Sequence, residues 1–408
     1  MVTTVSSYKD TKNRAFAGEG FDGVVRVVVG NQYGSGVLLF DGTAVLTAAH
    51  LFANASAQAT VHFETRLGAS AIGSREVLIH PDYNASNSHN DLALVWLSQD
   101  APVAAERYAL YRSSAELGQT MTMVGYGTPG LGSTGTLTSF NEAPIRLKAK
   151  NQFDTDSASL AHLFDPSDTW TATGNTQLVA DFDNGLAQND ALGRLINKQG
   201  LGLGALEGLI SKGDSGGPAF IGNLVAGIAS FTARVNSAGS VPDVDALNNS
   251  SFGEIGGWQR VSTYQQWIDQ SLSSRYVDKP QSQADVQKVV NEGSGGSVGN
   301  WGTTPAYFWV QLNGFRTNPL EVISVDYATR SGSALAGQDF LGTQGTLNLY
   351  PHQSHALIMV EIIADTAPEA DETFYLDIFN PIGASFGEGV VKLTAMRTIA
   401  NDDGWFWG

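Results

Sequence analysis

The sequence has 408 residues, of which 42% are hydrophobic and 10% aromatic, so wholesale disorder is excluded and each half is long enough to bury a core. The formal net charge of −17 argues against nucleic acid or an anionic membrane surface as a partner, because like charges repel. The sequence has no cysteine, which excludes disulfides, thiolate zinc sites and cysteine nucleophiles, and no run of about 18 apolar residues, which excludes a transmembrane helix.

Short strands dominate the first two thirds of the sequence. The 46 glycines and many short Val/Thr/Ser-rich runs are typical of an all-β protein. Strands are predicted, in chain order, at 24–29, 37–40, 44–49, 77–79, 92–97, 121–125, 219–220 and 224–231. Residues 128–208 carry only weak strand signals, and the apolar spacing over 260–272 predicts a helix with Ser262 as its N-cap.

The two ends of the sequence differ from this first block. The N-terminus is polar and lacks the apolar stretch of a secretory signal, so either a leader was trimmed from this sequence or export uses a route with no N-terminal signal. We expect residues 1–15 to be a leader or propeptide. The polar segment 273–286 is interpreted as a linker. Beyond it, apolar and polar residues alternate over 308–312, 323–327, 356–362 and 374–378. Short alternating strands separated by Gly, Pro and Asn turns favour an antiparallel β-sandwich.

The sharpest local feature is Gly213–Pro218, with the sequence GDSGGP. Glycines on both sides of Ser215 allow the tight backbone that exposes a nucleophilic hydroxyl and directs amides at a substrate carbonyl. A bare Gly-x-Ser-Gly is more often an ordinary turn, but the full hexapeptide is far more restrictive. Serine also needs a base that is oriented by a carboxylate. His50, after a small-residue strand, and Asp91, before an apolar strand, are the candidates, although a lone His or Asp at such places is more often structural.

Residues 16–272 resemble a trypsin/chymotrypsin-like serine protease of the bacterial type. The motifs that carry the resemblance are Thr47–His50, Asp91–Leu94, Gly213–Pro218 and the helix with Val261, Trp267 and Ile268. The resemblance implies a two-barrel fold in which Ser215 attacks a peptide carbonyl, His50 accepts and returns the proton, and Asp91 orients His50. It also implies an oxyanion hole made by the backbone amides of Gly213 and Ser215.

The resemblance extends to the substrate pocket and to activation. Leu209 stands where trypsin itself has an acidic side chain, and Thr232, two residues after Ser230, stands where many relatives have glycine. Leu209, Ser230 and Thr232 are therefore predicted to form a pocket for small or medium apolar P1 residues. In this family a newly freed amine pairs with the Asp before the nucleophile, here Asp214. We hypothesise a zymogen that is cut near Arg14.

One acidic segment, Asp181–Gly185 with Asn189 and Asp190 after it, alternates Asp and Asn with Gly. Such alternation resembles a calcium loop, yet the segment lacks the closing bidentate Glu of an EF-hand. We interpret it as a solvated acidic loop.

Residues 287–404 resemble a Calx-β domain, the calcium-binding sandwich of sodium–calcium exchangers and many bacterial surface proteins. The matching stretches are Val290–Gly293, Asp326–Thr329, Ser333–Phe340, Gly345–Leu347, Ile362–Asp365, Glu369–Phe374 and Ile399–Asp403. The Ca²⁺ ligands implied by motif position are Glu292, Asp339, Asp365, Glu369, Glu372, Asp402 and Asp403. Ala364 and Asn401 stand where stronger binders have Asp, which predicts lower affinity or stoichiometry. In the alternative interpretation these acids only cap strand ends and are solvated.

Two functions are compatible with these features. The first is a serine endopeptidase, secreted or at the cell surface and monomeric, that acts on protein or peptide substrates. Its chemistry needs no cofactor, and Ca²⁺ binds to the accessory domain. The alternative is an inactive protease-fold scaffold that serves as a calcium-dependent adhesion or binding protein. The complete set of His50, Asp91 and Ser215 favours the first, because a scaffold has no physical need for all three.

Overall fold

The computed structural model describes residues 2–53, 58–163, 174–236, 239–293 and 302–403. It divides the chain into two compact units: the chain up to Leu39 together with Thr43–Gln265, and Phe40–Gly42 together with the chain from Gln266 onwards. Parts of the predicted leader (residue 1) and Calx-β domain (294–301 and 404) lie outside the described residues. Among the described helices, none has both the length and the apolar character to cross a membrane.

The first unit consists mainly of strands. They are β1 (Thr3–Thr4), β2 (Val24–Val29), β3 (Gln32–Leu38), β4 (Ala44–Thr47), β5 (Thr60–Thr65), β6 (Gly68–Ile79), β7 (Ala93–Leu97), β8 (Thr120–Gly125), β9 (Gly130–Leu131), β10 (Gly135–Thr136), β11 (Leu147–Gln152), β12 (Thr155–Asp156), β13 (Gln177–Asp181), β14 (Gly208–Leu209), β15 (Pro218–Ile221), β16 (Leu224–Ala233) and β17 (Ile255–Arg260). The helices are α1 (Ala191–Ile196) and the first residues, up to Gln265, of α2 (Val261–Ser274), whose remainder belongs to the second unit. There are 3₁₀ turns at Thr11–Asn13, Ala49–Phe52, Ser157–Leu163 and Gly204–Leu206.

Six strands close into the first barrel, in the order β2-β3-β4-β7-β6-β5. Valines dominate its core, and Val25, Val27, Val45 and Val95 have no exposed surface. Branched side chains of this kind suit a pleated, buried surface. Strand β7 is buried along its whole length, which explains its unbroken apolar run. The barrel confirms the existence of the strands predicted in this part of the sequence. Strands β3 and β6 begin earlier than predicted, β4 ends two residues sooner, and β5 was not predicted.

The second half of this unit is a seven-stranded sheet in the order β11-β8-β15-β16-β17-β13-β12. A small sheet, β10-β9-β1-β14, accompanies it. Trp258, Phe153 and Phe182 are fully buried in the core of this half. The closed barrel together with these sheets confirms the predicted all-β, two-barrel architecture.

Residues 128–208 contain more regular structure than their sequence indicates. Strands β11 and β13 and helix α1 lie there, and Asp190 caps the helix by accepting a hydrogen bond from the amide of Gly193. The prediction of Ser262 as a helix cap is wrong: helix α2 begins one residue earlier, and the Ser262 hydroxyl donates to Glu116 instead. A buried acceptor in a distant loop therefore takes the hydroxyl.

The N-terminal segment is packed into this unit. Val2 has no exposed surface and belongs to the core of the second half. Strand β1 pairs with β14 on one side and β9 on the other. Ala15 is also buried, and its amide donates to the carbonyl oxygen of Arg146. The segment interpreted as a leader thus contributes a strand and buried side chains to this unit.

The second unit is a β-sandwich. Its strands are β18 (Val289–Asn291), β19 (Thr303–Gln311), β20 (Ile323–Ser331), β21 (Gln344–Leu349), β22 (His355–Ile363), β23 (Glu372–Ile382) and β24 (Lys392–Ala400), with a 3₁₀ turn at Gln283–Asp285. One sheet has the order β18-β24-β23-β20-β21, and the other pairs β19 with β22. Phe308, Phe340 and Phe374 pack together between them, with ring centroids of Phe340 and Phe374 4.6 Å apart. The predicted antiparallel sandwich is confirmed, apart from β18, which pairs in parallel with β24.

A buried ion pair joins Arg146, which precedes β11 of the second half, to Asp22, which precedes β2 of the first barrel. Arg146 Nη2 lies 2.8 Å from Asp22 Oδ1, and the two side chains are 1% and 0% exposed. The remaining guanidinium N–H groups donate to the carbonyl oxygens of Ala15, Val24 and Glu64. Because every partner is an acceptor in a buried region, the loss of this one cation leaves several acceptors unsatisfied.

We expect Arg146→Met to lower the free energy of unfolding by about 3–5 kcal/mol, because it leaves the Asp22 carboxylate buried without its cation. Lys148→Met is the matched control, since Lys148 pairs with Glu19 at 3.5 Å with both side chains partly exposed. Lys148→Met should lower the free energy of unfolding by at most about 1 kcal/mol. Urea unfolding of the full-length chain measures both, and similar losses in the two variants would contradict the prediction.

Candidate active site

His50 and Asp91 form a direct pair at the edge of the first barrel. Strand β4 ends at Thr47, and the 3₁₀ turn that follows carries His50, while Asp91 lies two residues before β7. The His50 amide donates to Asp91 Oδ1 at 2.8 Å, and His50 Nδ1 lies 2.7 Å from Asp91 Oδ2. Because an ionised carboxylate can only accept, the proton of neutral His50 lies on Nδ1. Nε2 is therefore left as a proton acceptor.

The second sheet supplies further donors to this pair. Ser230 Oγ, on β16, donates to Asp91 Oδ2 at 2.5 Å. Gln259 Nε2, on β17, lies 3.2 Å from Ser230 Oγ and 2.7 Å from the carbonyl oxygen of Ser88. Tyr264, on α2, donates to the other end of the Gln259 amide. The carboxylate of Asp91, 0% exposed, is thus satisfied from both halves of the unit.

The turn that carries Ser215 packs against the strand end that leads to His50. The amide of Ser35 donates to the carbonyl oxygen of Ser215 at 2.8 Å. Gly216 has φ +82°, and a β-carbon there would lie 2.1 Å from Thr47 Oγ1, so glycine is required by both backbone conformation and space. These contacts bring Ser215, from the second half, to the segment of the first barrel that bears His50.

The amides of this turn have two different orientations. The N–H groups of Asp214, Gly216 and Gly217 donate to carbonyl oxygens within the protein. Among the hydrogen bonds of the described residues, none has the amide of Gly213 or Ser215 as its donor. Gly213 adopts φ +99°, a conformation that favours glycine. Two amides next to the hydroxyl are therefore available to an outside acceptor, as an oxyanion hole requires.

The electrostatics of His50 depend on Asp91. Burial lowers the pKa of His50, but the hydrogen bond and the negative charge of Asp91 outweigh it, and the net pKa is raised. The side chain of His50 remains 34% exposed, so its outer nitrogen can be reached from solvent. The pair can accept a proton at Nε2 and stabilise the imidazolium that results.

The predicted pocket residues differ in their surroundings. Leu209 is fully buried, and a β-carbon on Gly256 would lie 2.9 Å from Leu209 Cδ1. Thr232 is partly buried and pairs with Gly256 across β16 and β17. Leu209 and Thr232 therefore flank the same glycine. The hydroxyl of Ser230 donates to Asp91, an interaction that its predicted position in the pocket did not indicate.

Asp214 is buried in the turn Gly213–Pro218, which we call the nucleophile turn after the candidate nucleophile Ser215. Its carboxylate accepts from the amides of Gly127 and Ser211, and burial raises its pKa in spite of the bonds from Ser211. The amine from a cut near Arg14 stays a prediction. The structure holds Ala15 in the hydrogen bonds to the Arg146 segment described above, so these bonds must break before that amine reaches Asp214.

The acids predicted to bind Ca²⁺ in the sandwich form two groups. Candidate ligand atoms lie within 4.8 Å of one another in the first sandwich cluster, which comprises Asp339, Glu369 and Glu372, and in the second sandwich cluster, which comprises Glu292, Asp402 and Asp403. Asp365 belongs to neither group among the described residues, but its amide donates to Glu292 Oε1 at 3.0 Å. Its charge also raises the pKa of Glu292 and Glu369. Asp365 thus lies close to both groups.

The donor set of the sandwich clusters fits a hard cation. All the donors are carboxylate oxygens, the ligands that Ca²⁺ prefers. Asp403 Oδ2 is buried and has no hydrogen-bond partner. Burial and neighbouring acids raise the pKa of Glu292 to about 7, and burial, a bond to Asp339 and the charges of Asp339 and Glu369 raise that of Glu372 to about 7. Asn401 has a structural role, because its side-chain amide donates to the carbonyl oxygens of Glu369 and Asp403.

The interpretation of 181–190 as a solvated loop is wrong. Asp181, Asp183 and Asp190 are 3%, 5% and 4% exposed, and their ligand atoms lie within 4.8 Å of one another. The segment folds inward because Asp181 ends a core strand and Asp190 caps a buried helix. The alternation of acids was visible in the sequence, but their burial was not.

Comparison with known families agrees with this geometry. The family model described as Trypsin matches residues 14–157, which include His50 and Asp91 but end before Ser215. The model described as the Calx-beta domain matches residues 311–403. The relation of Ser215 to the other two residues therefore rests on the structure.

The similarity to curated proteins covers about a fifth of the chain. The sodium/calcium exchanger Calx of Drosophila melanogaster is 40% identical over 83 residues, which are 20% of this chain and 8% of the exchanger. Sodium/calcium exchanger 2 of Homo sapiens and that of Rattus norvegicus are each 35% identical over 92 residues, which are 19% of this chain and 10% of the exchanger. The chain thus spans about a tenth or less of the length of these relatives.

We expect Asp91→Asn to lower the pKa of His50 below its ordinary value near 6.5, because burial remains while the opposing charge is lost. Titration of the His50 ring by NMR measures the shift directly. Ser230→Ala is the matched control, since it removes one hydrogen bond but keeps the carboxylate charge, and the pKa should stay raised. An unchanged His50 pKa in Asp91→Asn would contradict the assigned pair.

Proposed function

We propose that this chain, which joins a trypsin-like protease domain to a C-terminal Calx-beta domain, is a serine endopeptidase whose triad is Ser215, His50 and Asp91. The observation that carries the proposal is the nucleophile turn. It packs beside the His50 segment and leaves two amides without internal acceptors. A turn with only a structural role would gain stability by satisfying both amides internally.

The chemistry follows from the arrangement of the three side chains. Ser215 Oγ attacks the carbonyl carbon of the peptide bond while its proton passes to His50 Nε2. The carbon–oxygen bond forms, and the carbonyl oxygen takes the electron pair of its π bond as it accepts bonds from the amides of Gly213 and Ser215. His50 then gives its proton to the amine nitrogen as the carbon–nitrogen bond breaks. Water, activated in the same way by His50, releases the acyl group and restores Ser215.

Asp91 holds His50 in the required tautomer throughout this cycle. Its two carboxylate oxygens accept from the backbone and the ring of the same residue, which fixes the ring plane. As the imidazolium forms, the attraction between the two charges grows in a buried region, where it is weakly screened. Ser230 keeps the carboxylate oriented without competing for the catalytic proton.

The proposed specificity is for small or medium apolar P1 residues. Leu209 replaces the acidic side chain on which trypsin relies, and it is buried next to Gly256. A basic side chain would find no countercharge at that position, so its burial would be unfavourable. Thr232, opposite Gly256, narrows the same region. A peptide-library cleavage profile tests this preference.

The accessory role of the sandwich is proposed to be calcium binding. The two sandwich clusters supply carboxylates for Ca²⁺, which would offset their mutual repulsion and make their loops more rigid. Location outside the cell or at its surface is part of the proposal and is supported by the resemblance of this unit to Calx-β domains of surface proteins. A monomer suffices, since one chain provides the whole triad.

A fluorophosphonate probe tests the protease. We expect covalent labelling of the full-length chain, before or after N-terminal processing, and at least about a 10³-fold loss of labelling in Ser215→Ala. Ser70→Ala, in an exposed part of β6, is the control and should label normally. Absence of Ser215-dependent labelling in the processed chain would reject the enzyme and favour the binding scaffold.

Thermal unfolding tests calcium binding by the sandwich. Ca²⁺ at about 100 times its Kd should stabilise this unit by about 2.7 kcal/mol, and chelator should reverse the effect. Glu372→Gln should reduce the gain, whereas Glu388→Gln, an exposed residue outside the clusters, should not. Because the pKa of Glu372 is raised to about 7, the stability of the calcium-free protein falls as the pH rises through that value. The stabilisation that Ca²⁺ provides should therefore increase over the same pH range. An equal gain in both variants would contradict the assigned ligands.

A further inference from the structure

A third group of acids lies inside the protease unit, in addition to the two sandwich clusters. Asp181 ends β13, Asp183 follows in the next loop, and Asp190 precedes α1. Each offers a carboxylate oxygen, and the three oxygens lie within 4.8 Å of one another. We call these three residues the buried aspartate cluster. None of them belongs to the triad, its oxyanion hole or the pocket.

Burial distinguishes this cluster from an ordinary acidic surface. Its three members are between 3% and 5% exposed, and Glu207, which is 1% exposed, lies against it with Oε1 2.8 Å from the amide of Asp183. Among the ion pairs formed by the described residues, none includes a member of the cluster or Glu207. Several carboxylates are therefore buried together without a basic side chain, which is costly unless a cation or protons compensate them.

Hydrogen bonds to the cluster satisfy some of its oxygens but not all. Asp181 Oδ2 accepts from the amide of Leu192 at 2.7 Å, and Asp190 Oδ1 accepts from that of Gly193 at 2.6 Å. Asp183 Oδ1 is buried and has no hydrogen-bond partner, and the residue as a whole is only 5% exposed. An unpartnered, buried carboxylate oxygen among converging acids is the arrangement that a bound cation would complete.

We propose that the buried aspartate cluster binds one Ca²⁺ ion in the protease unit. Every available donor is oxygen, which excludes soft metals and favours a hard cation. Mg²⁺ retains several waters and demands regular octahedral geometry, whereas Ca²⁺ accepts about six to eight oxygens in flexible arrangements. The converging carboxylates come from a strand end, a loop and a helix cap, an irregular set that suits Ca²⁺. Backbone carbonyl groups and water complete its shell.

Burial and repulsion between neighbouring acids raise the pKa of carboxyl groups in this region. Burial first, and then the charges of Asp181 and Glu207, raise the pKa of Asp183 to about 9. Burial and the charge of Asp181 also raise the pKa of Asp154 to about 8. A divalent cation would reverse this repulsion, because it favours the ionised form of each ligand.

The position of the cluster gives the ion both access and a structural role. A surface cleft borders it and is lined by Asp190, Gly193 and Gly200 among other residues, so an ion can reach the carboxylates. The segment from 182 to 207 joins β13 to β14, and β14 contains Leu209. Ca²⁺ would therefore fix the segment that leads into the substrate pocket and then to Ser215.

The experiment uses the full-length chain with the sandwich clusters disabled by Glu292→Gln, Asp339→Asn and Glu372→Gln together. Equilibrium dialysis with radioactive Ca²⁺ should detect one ion per chain in this background. Adding Asp183→Asn, which keeps the size of the side chain, should abolish that binding. Asp10→Asn, an exposed residue of the same unit, is the matched control and should leave the ion in place.

Thermal unfolding provides a second measurement that does not depend on activity. Ca²⁺ should raise the melting temperature of the background chain, and the rise should vanish with Asp183→Asn. In chelator this variant should melt no lower than its background, because asparagine, like the protonated carboxyl group that the raised pKa of Asp183 favours, carries no charge. A melting temperature equal to that of the background shows that the variant folds. If the background chain binds no Ca²⁺, or binds it equally with Asp183→Asn, the proposal is overturned and the carboxylates share protons instead.

Discussion

The carboxylate of Asp91 is the constraint on which the candidate active site depends. A charge with no solvent contact is tolerated only if donors surround it, and here the donors come from the backbone and ring of His50 and from Ser230. His50 belongs to the first barrel, whereas Ser230 lies in the sheet that also places the nucleophile turn. Satisfying one buried charge therefore requires the two halves of the unit to come together, and this assembles the candidate active site.

Other buried carboxylates in the unit have different hydrogen-bond and ion-pair partners. These differences distinguish carboxylates that support the fold from one that could bind a ligand. Asp22 has a fully buried arginine, so its charge is neutralised permanently and supports the fold. Asp214 accepts hydrogen bonds from the amides of Gly127 and Ser211 and helps to hold the nucleophile turn. Only Asp183 among these acids retains a buried oxygen without a partner. Unmet hydrogen-bonding capacity, more than acidity itself, indicates a ligand site.

The sequence predicts the parts of this molecule that follow from local chemistry. The valine-rich strands, the alternation in the sandwich and the glycine-framed Ser215 depend on neighbours in the chain, and the structure contains all of them. Contacts between distant residues were not predictable in this way. Ser230 donates a hydrogen bond to Asp91, which is 139 positions away in the sequence. Ser262 does not cap the helix as predicted but donates to Glu116, which is 146 positions away. The fate of such polar groups depends on which buried acceptor the fold brings near, and a local pattern does not contain that information.

Acidic clusters in both units contribute to the net charge of −17, but the clusters differ in how deeply they are buried. In the sandwich, the acids of the first sandwich cluster are only partly buried, so water can screen their repulsion and an ion can exchange with modest dehydration. In the protease unit, the buried aspartate cluster has little such screening, and its repulsion acts directly on the free energy of folding. The same cation would thus act as a readily exchanged ligand in one unit and as part of the folded core in the other. Burial, not the number of acids, decides which of these roles a cluster takes.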